Sequence, residues 1–180
     1  MFTDENLYEH FWNGEKIAAD ELVHRHGDIL VLFLNSYVKD IHEAEDLMIE
    51  AFALMFVKRR PVSEDGSFRA YLYKTARRLA GKAIKKHRIH IGLEELSFEL
   101  PGEALAETSL FENERKKQLY EAMEELKPEY QEALYLVYFE DMSYRDTAEV
   151  MGRSESQIKN LVHRGKKSLK EILEKNGFEY

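Results

Sequence analysis

Apolar residues recur along most of this chain at intervals of three and four, and few stretches alternate with period two. That pattern predicts helices rather than strands. The periodicity and its interruptions place helices near residues 4–13, 16–26, 28–39, 43–59, 67–88, 113–126, 129–140, 144–151 and 155–174. Gly14 and Gly27 stand where helices are expected to stop. Pro61 cannot continue the helix that ends at Arg59 or Arg60, because it lacks an amide hydrogen and restricts its neighbour. Val62 to Ser67 then reads as a polar loop.

Residues 89–112 break the pattern with Ile91-Gly, Leu100-Pro-Gly and a string of glutamates. This span of 24 residues reads as a linker. Fully extended it reaches at most about 80 Å, at roughly 3.3 Å per residue. The expected fold is therefore all-α: two small helical domains, residues 1–88 and 113–180, joined by an acidic linker, with a helix-turn-helix in the second.

Composition narrows the chemistry. With 44% apolar residues in 180 the chain can bury a core. It has no cysteine, which excludes a disulfide framework, a cysteine zinc site and a thiol nucleophile, and suits a reducing, cytoplasmic setting. The acidic start, Met1-Phe-Thr-Asp-Glu-Asn-Leu, does not read as a signal peptide. The longest apolar run, Ala51 to Val57, has seven residues, against roughly 20 for a membrane span, so no membrane insertion is expected.

The net charge of -8 argues by itself against nucleic acid as a partner, but its distribution reverses the argument. Residues 1–57 carry 12 acids and 3 bases, whereas residues 58–88 carry 11 bases and 2 acids. Residues 94–114 carry 7 acids and no base, and residues 153–170 carry 6 bases and 1 acid. Two basic islands sit in an acidic chain, each on an expected helical element.

The second island lies in the strongest local signal, Ser143 to Arg164. Ser143 and Ser154 are each placed to cap a helix, with Asp146 and Gln157 at the third positions reaching back. Gly152 between them permits a tight turn, and Ala148 is small where two helices would cross. Val150, Ile158, Leu161 and Val162 supply apolar faces. The outward face of the second helix then presents Ser156, Lys159, Asn160, His163 and Arg164, with Arg153 just before it. These side chains suit phosphates and base edges in a major groove, and a helix N-terminus favours a phosphate.

In the first domain, the helix from Ile41 has an apolar stripe of Leu47, Ala51, Leu54 and Met55, widened by Met48, Phe52 and Phe56. Glu43, Asp46 and Glu50 fall on the other side and make one face acidic. The next helix faces a core with Leu72, Ala76, Leu79, Ala80 and Ile84 and exposes Lys74, Arg77, Arg78, Lys82, Lys85 and Lys86. Basic groups interleaved with Tyr71 and Tyr73 suit a strand with exposed bases. The ordinary alternative packs Phe68, Tyr71 and Tyr73 in the core, and for Phe68 that reading is preferred.

In this order and spacing the elements resemble the extracytoplasmic-function sigma factors of bacteria. Glu43-Ala-Glu-Asp-Leu-Met-Ile-Glu-Ala-Phe52 matches that family's acidic helix, and Phe68-Arg-Ala-Tyr-Leu-Tyr-Lys-Thr-Ala-Arg-Arg78 is similar to its aromatic-basic helix. Leu126-Lys-Pro-Glu-Tyr-Gln131 is loosely similar to the start of its second domain, and Ser143 to Arg164 resembles its turn and recognition helix. The chain departs from the family pattern at Ile49, usually glutamine, at Arg78, usually asparagine, at Lys82, often an acid or amide, and at Leu161, frequently arginine.

The resemblance implies a non-enzymatic protein, without metal or cofactor, that directs core RNA polymerase to promoter DNA; an anti-sigma factor is an open further partner. It implies polymerase contacts through Glu43, Asp46, Leu47, Ile49 and Glu50. It implies minus-ten contacts through Arg59, Arg60, Ser63, Lys74, Arg77, Arg78, Lys82 and Lys85, with capture of an everted base. It implies minus-thirty-five contacts through Arg153, Ser156, Lys159, Asn160, His163 and Arg164. Promoter elements two helical turns apart are separated by roughly 70 Å, which the linker covers. Two other readings compete. A conventional helix-turn-helix repressor or activator needs dimerisation and a ligand domain. A metal-dependent nuclease or phosphohydrolase would need Glu43, Asp46, Glu50 and histidines as ligands, yet His24 and His26 fall on different helix faces.

Overall fold

The computed structural model describes residues 2–58, 67–88, 97–99 and 114–178, and among them the only regular elements are helices. The chain divides into two compact units, Met1–Leu96 and Ser97–Tyr180. Arg59, Arg60, Ser63 and most of the span read as a linker lie outside the described residues.

The first unit contains α1 (Asp4–Trp12), α2 (Ile17–Val38), α3 (Ile41–Val57) and α4 (Phe68–Arg88). α1 begins at Thr3, whose hydroxyl accepts the Asn6 amide at 3.2 Å. α2 ends where Lys39 adopts a left-handed conformation. One residue later Asp40 starts α3, its carboxylate accepting the amides of Glu43 and His42 at 3.0 and 2.9 Å. Those amides hold the Asp40 carboxyl below its ordinary value. The core is built from Leu22, Leu30, Phe33 and Leu34 of α2, Ala44, Ala51 and Met55 of α3, and Phe68, Leu72, Tyr73 and Ala76 of α4.

The two helices expected at 16–26 and 28–39 are one continuous α2. Gly27 is buried within it and does not adopt a positive φ, so it does not act as a stop. The apolar stripe of α2 runs through this position and is buried, and that packing outweighs the weak propensity of a single glycine. An added Cβ at Gly27 would meet only Val23 at 3.8 Å and the Met48 sulfur at 3.9 Å, which are ordinary contacts. Gly27→Ala is therefore expected to stabilise the first unit by about 0.5–1 kcal/mol, read as a higher urea midpoint at unchanged slope. A lower midpoint would show that α3 cannot accept the methyl group.

The second unit contains α5 (Glu114–Glu124), α6 (Pro128–Leu134), a π-helical turn (Tyr135–Phe139), α7 (Tyr144–Met151) and α8 (Glu155–Lys175). Gln131 links α6 back to the end of α5, its side-chain amide donating to the carbonyls of Leu126 and Glu124 at 2.8 and 3.1 Å. The single helix expected at 129–140 widens into the π turn, closed by the Glu140 amide on the Tyr135 carbonyl at 3.1 Å. This buries Tyr135 and Leu136 and leaves Tyr138 and Phe139 exposed. Phe98, inside the span read as a linker, is buried with its ring 5.6 Å from that of Tyr135.

Candidate nucleic-acid and polymerase interfaces

The helix-turn-helix is assembled by local chemistry. The Ser143 hydroxyl accepts the Asp146 amide at 3.0 Å and donates to the Asp146 carboxylate at 2.8 Å, so Asp146 steadies the capping side chain. Ser154 and Gln157 form the full reciprocal box: the Ser154 hydroxyl accepts the Gln157 amide at 3.2 Å, and the Ser154 amide donates to the Gln157 side chain at 2.8 Å. Between them Gly152 sits at φ 64°, ψ 38°, a conformation open to glycine at little cost. The Arg153 amide closes the turn on the Ala148 carbonyl at 3.0 Å. Ala148, Val150, Ile158, Leu161 and Val162 are all buried, fixing α8 against the unit's core.

That packing leaves Ser156, Lys159, Asn160, His163 and Arg164 exposed on the opposite face of α8. Among the described residues, the side chains of Ser156, Asn160, His163 and Arg164 have no hydrogen bond or ion pair. Lys159 pairs with Glu155 at 3.2 Å and Arg153 with Glu129 at 3.2 Å; both pairs are exposed, so they screen rather than lock the cations. Leu161 is buried, so the departure from arginine there serves the core and takes nothing from the exposed face. The basic face continues through Lys166, Lys167 and Lys170, which are exposed and complete the basic island of residues 153–170. Lys166 also lies against Tyr138, its ammonium 3.3 Å from the hydroxyl.

In the first unit the buried side of α4 carries Leu72, Tyr73, Ala76, Leu79 and Ala80. Lys74, Arg78, Lys82 and Lys85 are exposed and fall on one stripe, about 16 Å long at 1.5 Å rise per residue. Arg77 is half-buried, and both Lys74 and Arg77 have partners within the structure. The interleaved tyrosines divide: Tyr73 is fully buried with its ring 4.8 Å from Phe33, and Tyr71 is half-buried. Tyr73 is therefore a core residue, and Phe68 is likewise fully buried, as preferred from its position in the sequence.

On α3, Asp46 and Glu50 are exposed one turn apart, and neither carboxylate has an ion pair or hydrogen bond among the described residues. Ile49 lies between them with 61% of its surface exposed. Glu43 is half-buried and paired with His87, at the end of α4, at 2.8 Å. Nothing local in the sequence links those two residues. Leu47 is buried and shapes this face from beneath without reaching its surface.

Two family models match the chain in order. "Sigma-70 region 2" covers residues 22–89, and "Sigma-70, region 4" covers residues 116–169. The chain is 28% identical to the ECF RNA polymerase sigma factor SigM of Bacillus subtilis, over 87% of this chain and 95% of that one. This chain belongs to the extracytoplasmic-function sigma factors. As a sigma factor it directs RNA polymerase to promoters for transcription initiation. It is also 28% identical to the sigma factor BldN of Streptomyces coelicolor, over 93% of this chain but only 64% of BldN. The fold is shared with two solved structures. CnrH, in complex with the cytosolic domain of CnrY, superposes with a TM-score of 0.61 at 18% identity, over 95% of this chain and 97% of that chain. RpoE, in complex with the anti-sigma factor NepR from Bartonella quintana, gives 0.64 at 19% identity, over 86% and 96%. No helix among the sigma factor's described residues is long and apolar enough to cross a membrane.

Proposed function

We propose that the two units of this sigma factor divide promoter recognition between them, and that α3 delivers both to core RNA polymerase. In this reading residues 1–88 form the polymerase- and minus-ten-binding domain, 89–112 the linker and 113–180 the minus-thirty-five-binding domain. The stripe Lys74, Arg78, Lys82 and Lys85, with Arg77 beside it and Arg59, Arg60 and Ser63 in the preceding segment, holds the unpaired minus-ten strand. Ser156, Lys159, Asn160, His163 and Arg164, with Arg153, hold the minus-thirty-five duplex. Asp46, Ile49 and Glu50, with Glu43, meet a cationic surface of the polymerase.

The observation that carries this reading is the exposed, one-sided placement of two basic helix faces in an acidic chain. Phosphate neutralisation needs cations that reach solvent, and the exposed faces of α4 and α8 carry them. Eversion of a base costs a few kcal/mol, which contacts from the α4 side offset. The chain contributes no bond-making chemistry of its own and works in the cytoplasm, where the polymerase catalyses. An anti-sigma factor is a further candidate partner, since RpoE, of similar fold, was solved with one.

The deciding experiment is run-off transcription with purified core enzyme. Addition of the protein is expected to give one defined start site on a promoter selected with the same holoenzyme, and none without it. Tight, specific promoter binding by the protein alone would instead favour a conventional helix-turn-helix regulator.

A further inference from the structure

Glycine in a helix interior costs stability relative to alanine, so a buried one asks for a reason. Gly165 is buried in the middle of α8, on the same apolar stripe as Ile158, Leu161, Val162 and Leu173. Its φ is not positive, so backbone freedom is not the reason. Space is. A Cβ at Gly165 would stand 3.2 Å from Leu134 Cδ1, 3.3 Å from Leu134 Cγ and 3.3 Å from Tyr130 Cβ. Carbon atoms in favourable contact sit at about 3.5–4.0 Å. At Gly27 the same methyl group would meet nothing nearer than 3.8 Å, so a side chain fits there and does not fit at Gly165.

The neighbours of Gly165 are held in place. Tyr130 and Leu134 are four residues apart on α6 and share the face that meets α8. Leu134 is buried, and the Tyr130 Cβ moves only with the backbone that carries it. α6 is itself tied to the end of α5 by the two hydrogen bonds of the buried Gln131 side chain. A side chain at 165 would therefore push α8 away from α6 by a few tenths of an ångström.

The ends of α8 are tied at the surface. Arg153, just before it, pairs with Glu129 at 3.2 Å, and Asn176, just after it, donates to Glu125 at 3.0 Å. A push at the centre of a helix held at both ends tilts or bows it. Ser156 and Asn160 lie along that lever, about 13 and 7 Å from Gly165 at 1.5 Å rise per residue. Contacts to bases and to phosphates respond differently to such a shift. A hydrogen bond to a base edge weakens steeply outside a narrow range of distance and angle. Attraction between charges falls only with the inverse of distance. A displaced helix thus keeps its hold on the DNA backbone and loses its ability to tell base pairs apart.

We propose that Gly165 is a positioning residue for minus-thirty-five recognition: its missing side chain lets α8 seat on Tyr130 and Leu134, and that seat sets the depth at which Ser156, Asn160 and His163 meet base edges. The proposal rests on the reading of α8 as the minus-thirty-five helix. Gly165 is buried and touches no DNA itself.

The test uses holoenzyme carrying Gly165→Ala, with duplexes whose minus-thirty-five element is matched, altered at one base pair, or scrambled. Discrimination between matched and altered elements is expected to fall about tenfold, the worth of roughly one base contact. Affinity for the scrambled duplex and capture by core polymerase are expected to stay within about twofold, with the salt slope unchanged. Leu134→Ala removes both Leu134 carbons that crowd the new methyl group. Combined with Gly165→Ala it is expected to recover most of the discrimination while melting at a lower temperature than the wild type, which separates position from stability. Unchanged discrimination in Gly165→Ala would overturn the seat, and so would failure of Leu134→Ala to recover it. A parallel loss of binding to matched and scrambled duplexes with a lowered melting temperature would do the same, because it marks a purely structural role. If wild-type holoenzyme does not discriminate among minus-thirty-five sequences, the reading of α8 has failed instead, and the seat falls with it.

Discussion

Replacing Asp46 and Glu50 together by lysine is expected to weaken capture by core RNA polymerase by roughly a hundredfold or more. Like charges brought together at an interface cost several kcal/mol, and each 1.4 kcal/mol is tenfold in affinity. The effect should be clean, because both carboxylates are exposed and without a partner among the described residues, so the fold does not depend on them. Exposed substitutions of this kind usually move stability by no more than about 0.5 kcal/mol. Binding is read by anisotropy of the labelled protein titrated with core enzyme, with thermal melting alongside. Leu47 offers the contrast. It is buried, so Leu47→Ala should cost about 2–5 kcal/mol of stability and lose binding through unfolding. Undiminished capture by the folded double-lysine variant would remove this face of α3 from the docking surface.

The second large effect belongs to α4. Glutamine at Lys74, Arg78, Lys82 and Lys85 together is expected to lower holoenzyme affinity for promoter DNA roughly a hundredfold at low salt, and to reduce the salt slope by about 3. Each phosphate contact contributes about 0.7–0.9 to that slope, through release of a condensed counterion. The four side chains are exposed on one stripe and the opposite stripe is core, so the substitutions remove charge without creating a cavity. A plot of log affinity against log salt that stays parallel to the wild type would show that the stripe faces away from the phosphates. Either form of a parallel plot, coincident or merely displaced, means that these four side chains release no ions on binding.

Much of the candidate site was legible in the chain itself because its determinants are local. The capping pair Ser154 and Gln157, the left-handed Gly152 and the buried Ile158, Leu161 and Val162 lie within a dozen residues of one another, and the exposed face of α8 follows from the helical repeat alone. The acidic side of α3 follows in the same way. Tyr73 shows where that reasoning stops. Helical spacing places it beside basic residues, and only Phe33, forty positions earlier, makes it a core side chain. Gly27 shows the converse error, a local stop signal overruled by a stripe of long-range contacts. The π turn at Tyr135–Phe139 is of the same kind, for nothing in the residue types announces the extra residue in that turn.

Pairs of residues far apart in the chain were the blind spot throughout. Glu43 with His87, Tyr8 with Met55 and Glu5 with Phe68 are side-chain interactions that no spacing rule can anticipate.

The amino-acid sequence by itself determined the all-helical class, the order of an acidic and two basic faces, the turn chemistry of the helix-turn-helix and, through those motifs, membership of the sigma factors. These rest on periodicity and capping, which act within a few residues. Tertiary structure alone decided which cations stay exposed, which tyrosine joins the core, that α2 runs unbroken, and that α8 seats on α6 at Gly165. Those outcomes depend on which buried surfaces meet and how closely they pack, and both are set by neighbours distant in the chain.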